Sequence, residues 1–209
     1  MIDINKVAPT IKHQILRASL PMKTIGMEFS DLDDSLARDL AKTWCDTVRS
    51  GMVIKSPGSP SSGLGLLLVG LPGHGKTTLA ATALQELIRT MSVPAVFMDY
   101  PKFLRLEKES WSDEEAKQKI REIYGDAKDS VPVFVLDDLG KEYRTQAGWS
   151  ENVFDALLRA RFNAGLPTIV TTNVPLNKWR VTYGEAMESF AHEAFITIEV
   201  ESDLGDRRK

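Results

Sequence analysis

The chain has 209 residues, 43% of them hydrophobic and 26% charged, with 14 glycines and 10 prolines; this suits one α/β domain with a short appendage and excludes disordered, collagen-like and repeat classes. A formal net charge of −3 at pH 7 excludes nucleic-acid binding by bulk charge, so any such contact must come from a local patch. A single cysteine, Cys45, excludes an intramolecular disulfide, no Cys/His cluster has metal-ligand spacing, and apolar runs no longer than Leu64 to Leu71 with no signal-like N-terminus predict a cytoplasmic protein with no membrane contact.

Residues 1–22 read as a mildly basic arm with Lys6, Lys12 and Arg17. Val7, Ile11, Ile15 and Leu16 stand at helical spacing, and Pro21 closes the segment. Such an arm is too short to bury its own stripe, so it must dock on its domain or bind a partner, and it is set apart from a main domain over 23–209. Ser30 or Asp31 is expected to cap a helix running to about Ser50, with Leu36, Leu40, Trp44 and Val48 recurring every four residues and Gly51 as terminator. Cys45 beside that stripe reads as a small core residue. Ser56 to Gly63 is a breaker-rich loop. Beyond it, apolar runs at Leu66–Val69, Ala95–Met98, Val131–Leu136, Pro167–Thr172 and Phe195–Val200 alternate with helical patterns, the first carried by Leu79, Ala80, Ala83, Leu84, Leu87, Ile88 and Met91. Five strands of a mostly parallel sheet, covered on both faces by helices, are predicted. Between Lys102 and Asp129, seven basic and eight acidic residues interleave, the pattern of a solvated helical face.

Three segments carry chemistry. Gly70-Leu71-Pro72-Gly73-His74-Gly75-Lys76-Thr77 satisfies G-x-x-x-x-G-K-[ST] between a predicted strand and a predicted amphipathic helix, the context that separates a phosphate loop from an accidental glycine-rich turn. Glycines let the backbone aim N–H groups at phosphate oxygens and the helix N-terminus adds partial positive charge. Gly70, Pro72, Gly73, His74, Gly75, Lys76, Thr77 and Thr78 are therefore the candidate nucleotide-binding residues. Lys76 would reach the β/γ-phosphates and Thr77 would ligate Mg²⁺. His74 reads as a variable loop position. Val133-Phe134-Val135-Leu136-Asp137-Asp138 is a buried-strand pattern ending in two carboxylates, at the strand end where open α/β sheets bind ligands. Asp137 is the candidate Mg²⁺ partner and Asp138 the candidate to polarise attacking water. Adjacent strand residues point to opposite sides, so the two are expected to serve a ligand differently; Asp-Asp-Leu-Gly would equally suit a turn. The run Leu166 to Asn173 ends in a polar amide, Asn173, a candidate catalytic sensor unless it merely starts a turn before Val174-Pro175.

Leu66 to Ala80, Leu136 to Glu142, and Arg161-Phe162 leading into Leu166–Asn173 together resemble the DnaC/IstB-type AAA+ ATPases, the replicative helicase loaders and transposition helpers. The resemblance runs from about Leu20 to Arg207. It implies an AAA+ P-loop fold with strand order 5-1-4-3-2 and little or no lid, ATP with Mg²⁺ as cofactors, and Asn173 as a sensor of γ-phosphate and lytic water. It also implies a replicative helicase and single-stranded DNA as partners, with self-association into a ring or spiral. Two departures stand out. The family places a finger arginine in a Tyr-Gly-Glu…Ser-Arg pattern, where this chain has Tyr183-Gly184-Glu185…Ser189-Phe190; a phenyl ring cannot stabilise transition-state charge, so hydrolysis is expected to be slow. The N-terminal domain of larger loaders is reduced to about twenty residues, as in a compact phage-type member.

Arg161 and Arg180 are the substitutes considered for the finger. Arg161 could otherwise offset a helix dipole, and Arg207 could sense nucleotide or lie in a solvated tail. For single-stranded DNA, Tyr100, Lys102, Phe103, Arg105, Lys108 and Trp111 combine cations with aromatics in one span, and Lys141, Tyr143 and Arg144 follow the acidic strand. The expected function is an ATP-hydrolysing helicase loader in replication initiation. The alternatives are an IstB-like transposition helper, a nucleotide-switched interaction module with little hydrolysis, and a P-loop small-molecule kinase. The last suits an Asp-Asp pair with an Asn sensor less well, because that set fits water attack.

Overall fold

The computed structural model describes residues 1–51, 63–140 and 148–201. Five strands, β1 (Gly65–Val69), β2 (Ala95–Asp99), β3 (Val133–Leu139), β4 (Thr168–Thr172) and β5 (Phe195–Glu199), form one all-parallel sheet in the order β2-β3-β4-β1-β5. Read from its other edge this is 5-1-4-3-2. The three central strands are buried along almost their whole length, which explains why they stand out in the sequence as continuous apolar runs.

Successive side chains of a strand alternate faces, and the sheet carries a core on each. Leu66, Leu68, Val133, Val135 and Ile169 pack under α1 (Pro9–Arg17), α2 (Leu36–Arg49) and α3 (Lys76–Met91). Leu67, Val69, Phe134, Leu136 and Val170 pack under α4 (Tyr100–Glu109), α5 (Glu114–Tyr124), α6 (Trp149–Ala164), α7 (Trp179–Tyr183) and α8 (Glu185–Ala194).

Four local readings are corrected. The α2 helix starts at Leu36, because the Ser35 hydroxyl accepts from the Arg38 N–H at 3.1 Å, while Phe29–Asp31 forms a separate 3₁₀ turn. Its inward face is Ala37, Ala41, Trp44, Cys45 and Val48, and Leu36 and Leu40 are exposed. At 3.6 residues per turn, every four-residue step rotates by about 40°, so Leu36 has drifted about 120° from Val48. The charged stretch after Lys102 is not a single solvated face: α4 buries Tyr100, Phe103 and Leu104, and α5 buries Ala116, Ile120 and Ile123. Tyr100 and Phe103 are fully buried and so are not available to stack on bases. Of the two destinations expected for the N-terminal segment, it takes the first and docks on its own domain. Ile15, Ala18 and Leu20 enter the core, and the Ala18 carbonyl accepts from the Phe97 N–H at 2.7 Å on edge strand β2. Burial raises the Cys45 thiol well above its usual range, as an inert core residue requires.

The loop read at Ser56–Gly63 lies, apart from Gly63, outside the described residues, as do Lys141, Tyr143, Arg144 and Arg207. Among the described residues no helix is long and apolar enough to cross a membrane.

Candidate functional site

The phosphate loop leaves β1 at Gly70, where a Cβ would lie 2.3 Å from the Val200 carbonyl oxygen; the chain leaving β5 passes too close for any side chain. Gly73 and Gly75 both take left-handed conformations, with φ of 85° and 88°, which glycine adopts without steric cost. These turns deliver the chain into α3, whose first N–H groups lack helical partners and face the loop. Pro72 is exposed, and His74 Nδ1 lies 3.3 Å from the Val200 carbonyl oxygen, tying the loop to β5. Lys76 is 6% exposed, and its Nζ donates to the Gly70 and Leu71 carbonyls at 2.8 Å each.

Across from the loop, the end of β3 departs from the alternation expected of a strand. Its pairing with β4 shifts between Leu136 and Leu139, and Asp138 has φ of 61°. This left-handed residue, costly for a side chain with a Cβ, turns the second carboxylate so that Asp137 and Asp138 line one cavity. The expectation that adjacent strand residues face opposite sides fails here because the strand bulges. The Asp137 carboxylate accepts from the Thr77 hydroxyl, Oγ1 lying 3.0 and 3.1 Å from its two oxygens.

The bulge rests on Thr171 of β4, which the sequence reading missed. Its buried hydroxyl donates to Asp137 Oδ1 at 2.6 Å and accepts from the Asp138 N–H at 2.9 Å. Thr172 does similar work one residue on, donating to the Leu139 carbonyl at 2.9 Å and accepting from the Val174 N–H at 3.0 Å. The only sequence signal for either was a polar residue at a fully buried strand position.

A cavity of about 270 Å³ is lined by Gly73, Gly75, Lys76, Thr77, Thr78, Asp137, Asp138 and Asn173, together with Lys23 from the N-terminal region. Gly70, His74 and Asn173 also line the hollow beside β5, and Leu32, Asp33, His74, Thr78 and Leu79 line a narrower one near the start of α2. Among the described residues no group of three or more His, Cys, Asp or Glu could hold a metal by itself. The Thr77 hydroxyl and Asp137 carboxylate are hard oxygen donors already within 3.1 Å of each other. They suit Mg²⁺ held jointly with phosphate oxygens, the usual arrangement for that ion.

Arg161 is elsewhere. It is fully buried, with Nε donating to Thr168 Oγ1 at 2.8 Å and the guanidinium nitrogens to the carbonyls of Ile123, Val131, Pro132 and Pro167 at 2.5 to 3.4 Å. Burial pulls its pKa down to about 9, which still leaves it charged at neutral pH. A side chain enclosed by five oxygens cannot reach a neighbour, so Arg161 is withdrawn as a finger or nucleotide contact. Phe190 is 9% exposed on α8, edge-on to Phe162 at 5.4 Å, with the Arg159 guanidinium 4.3 Å above its ring. Arg180 is exposed and paired with Glu185.

The family model for the ATPase family associated with various cellular activities (AAA) matches residues 66–178, spanning the phosphate loop, the acidic strand and Asn173. No curated protein sequence matches the chain. Among solved structures the chain is similar to DnaI, with TM-score 0.67 and 25% identity over 91% of this chain and 95% of that one. It is also similar to the DnaC helicase loader, with TM-score 0.66 and 22% identity over 87% and 100%. A third similarity is to AMPPCP-bound DnaA from Aquifex aeolicus, with TM-score 0.64 and 17% identity over 91% of this chain and 53% of that one.

Proposed function

The chain belongs to the ATPase family associated with various cellular activities, and from that premise we propose that it is an ATP-dependent helicase loader acting in replication initiation. In this reading Gly70, Pro72, Gly73, His74, Gly75, Lys76, Thr77 and Thr78 hold the triphosphate, and Thr77 with Asp137 holds Mg²⁺. Asp138 orients the attacking water, and Asn173 senses the γ-phosphate. Bound Mg²⁺ supplies charge neutralisation between phosphate oxygens. The residues of the chain bind, orient and hold the proton acceptor in place. The narrower hollow at Leu32, Thr78 and Leu79 would receive the nucleobase end.

The observation that carries the reading is the presence, in one AAA domain, of that nucleotide site and a separate groove of unpartnered cations. Arg17, Lys102, Arg105 and Lys119, with one carboxylate, Glu109, line a hollow against edge strand β2. Among the described residues none of the four makes an ion pair or side-chain hydrogen bond, whereas Arg38, Arg49, Arg89, Arg159 and Arg180 each pair with a carboxylate. Just past the end of α4, Trp111 is 71% exposed and edge-on to Trp149 at 6.0 Å, with Lys108 Nζ 4.9 Å from the Trp149 ring centroid. Cations along a groove suit the backbone of single-stranded DNA, and an exposed tryptophan suits its bases. The replicative helicase is assigned to residues 1–22, where Leu16 and Met22 remain exposed. The resemblance of Leu66 to Ala80 and Leu136 to Glu142 to the helicase loaders supports this partner class.

Fluorescence anisotropy with single- and double-stranded oligonucleotides, with and without ATP, tests the reading together with helicase copurification. The expected result is ATP-dependent preference for single strands. Arg105→Ala and Lys102→Ala should each lower the salt slope by about 0.7. Preference for duplex would transfer the protein to the transposition helpers. Absence of DNA binding with intact ATP binding would leave a nucleotide-switched interaction module.

A further inference from the structure

Lys23 belongs to none of the motifs, yet it lines the cavity formed by Lys76, Thr77, Asp137, Asp138 and Asn173. We propose that Lys23 is a second cation for the terminal phosphate of a bound nucleoside triphosphate, supplied by the same chain. The proposal rests on the nucleotide-site reading above.

The first support is the rigidity of its backbone. Lys23 sits in the 3₁₀ turn Met22–Thr24, which follows Pro21. The Thr24 side chain is fully buried, and its hydroxyl donates to the Pro21 carbonyl at 2.7 Å. Gln85, itself fully buried on α3, clamps the turn from below: its Nε2 donates to the Thr24 carbonyl at 2.8 Å, and its Oε1 accepts from the Gly26 N–H at 2.8 Å. Gly26 has φ of 81°, and a Cβ there would meet the Ile2 carbonyl oxygen at 2.7 Å. The helix that begins in the phosphate loop therefore also fixes the backbone from which Lys23 projects. A buried glutamine whose amide is satisfied at both ends holds such a position closely.

The second support is charge. Among the described residues, and apart from Lys23, the cavity wall carries one ammonium, Lys76, against the carboxylates of Asp137 and Asp138. That set is poor in positive charge for a triphosphate even with a divalent ion present. Lys23 itself is exposed, and among the described residues it makes no ion pair or side-chain hydrogen bond. No protein contact has to be broken for its flexible stem to turn toward the phosphates.

The third support is that, among the described residues, the family-derived candidates are engaged elsewhere. Arg161 is enclosed by carbonyls, and Phe190 is packed on Phe162. A lysine on the same chain would serve a terminal phosphate without an assembled neighbour. Because it addresses the last phosphate, its signature is a difference between triphosphate and diphosphate, not a general loss of affinity.

Calorimetric titration of AMPPCP and ADP, each with Mg²⁺, into the parent protein, Lys23→Ala, Lys23→Gln and Lys23→Arg reads that difference, with melting temperature as the folding control. Lys23→Ala and Lys23→Gln are expected to weaken AMPPCP roughly tenfold while leaving ADP within about twofold, and Lys23→Arg is expected to restore most of the discrimination. Unchanged affinities, or equal losses for both nucleotides, would overturn the assignment. A parent protein that binds neither nucleotide would instead overturn the nucleotide-site reading on which it stands.

Discussion

The Lys76 ammonium is 6% exposed and satisfied by two carbonyls of its own loop, so its position is set by the loop and not by apolar packing. Lys76→Ala should lower ATP affinity by at least about a hundredfold, roughly 2.7 kcal/mol. The melting temperature should stay within a few degrees, because the Gly70 and Leu71 carbonyls can turn to water. Titration and a thermal melt of the same preparation check both halves. At the acidic pair the expected effects divide. Asp138→Asn should retain ATP binding and lose turnover, whereas Asp137→Asn should also raise the Mg²⁺ concentration required. Identical effects of the two substitutions on binding and turnover would contradict that division. The motif residues were legible in the sequence because their chemistry demands fixed types at fixed spacing. Thr171 was not, since threonine is an ordinary strand former, and neither was the left-handed Asp138, since a bulge leaves no mark in composition.

Among the elements, the strands were legible and the helices only in part. A parallel strand covered on both faces must be apolar throughout, and Leu66–Val69 and Val133–Leu136 announce themselves for that reason. Helical faces are subtler. Ala37 and Ala41 of α2 turn inward while the larger Leu36 and Leu40 stay out, and α4 and α5 hide narrow aromatic and aliphatic stripes beneath dense charge. Arg161 shows how far a pattern can mislead: a cation near the end of α6 proves to be the joint between α5, β3 and β4. Arg161→Met would leave the carbonyls of Ile123, Val131 and Pro132 without the guanidinium donor and Pro167 with only the Phe134 N–H, and is expected to cost about 3–5 kcal/mol in urea melts. Arg161→Lys should recover little of it, because one ammonium cannot span acceptors arranged around a planar fork. The N-terminal segment carries a parallel expectation. Deleting residues 1–20 removes the buried Ile15 and Leu20 side chains, worth about 1.5–3 kcal/mol each. The truncated protein should melt clearly lower, so Leu16→Asp and Met22→Glu on its exposed side are the variants that probe helicase contact.

At the scale of the whole molecule the question is whether one chain hydrolyses ATP alone. A finger arginine from a neighbouring subunit is worth roughly 10³–10⁵ in rate, and an enzyme that depends on one shows specific turnover rising steeply with its own concentration. Here the position matching the family's finger holds Phe190, packed against Phe162 and beneath Arg159. Among the described residues two surface arginines stand nearby. Arg159 is held by Asp155 at 2.9 Å and Arg180 by Glu185, so either would have to leave its carboxylate before entering another active site. Lys23, by contrast, already lines the phosphate cavity of its own chain. Specific turnover should therefore be slow and flat over about a hundredfold range of protein concentration, and Arg159→Ala and Arg180→Ala should leave it within about twofold of the parent. Steep concentration dependence abolished by one of those two substitutions would show that this arginine serves a neighbour, and the active unit would then be an assembly.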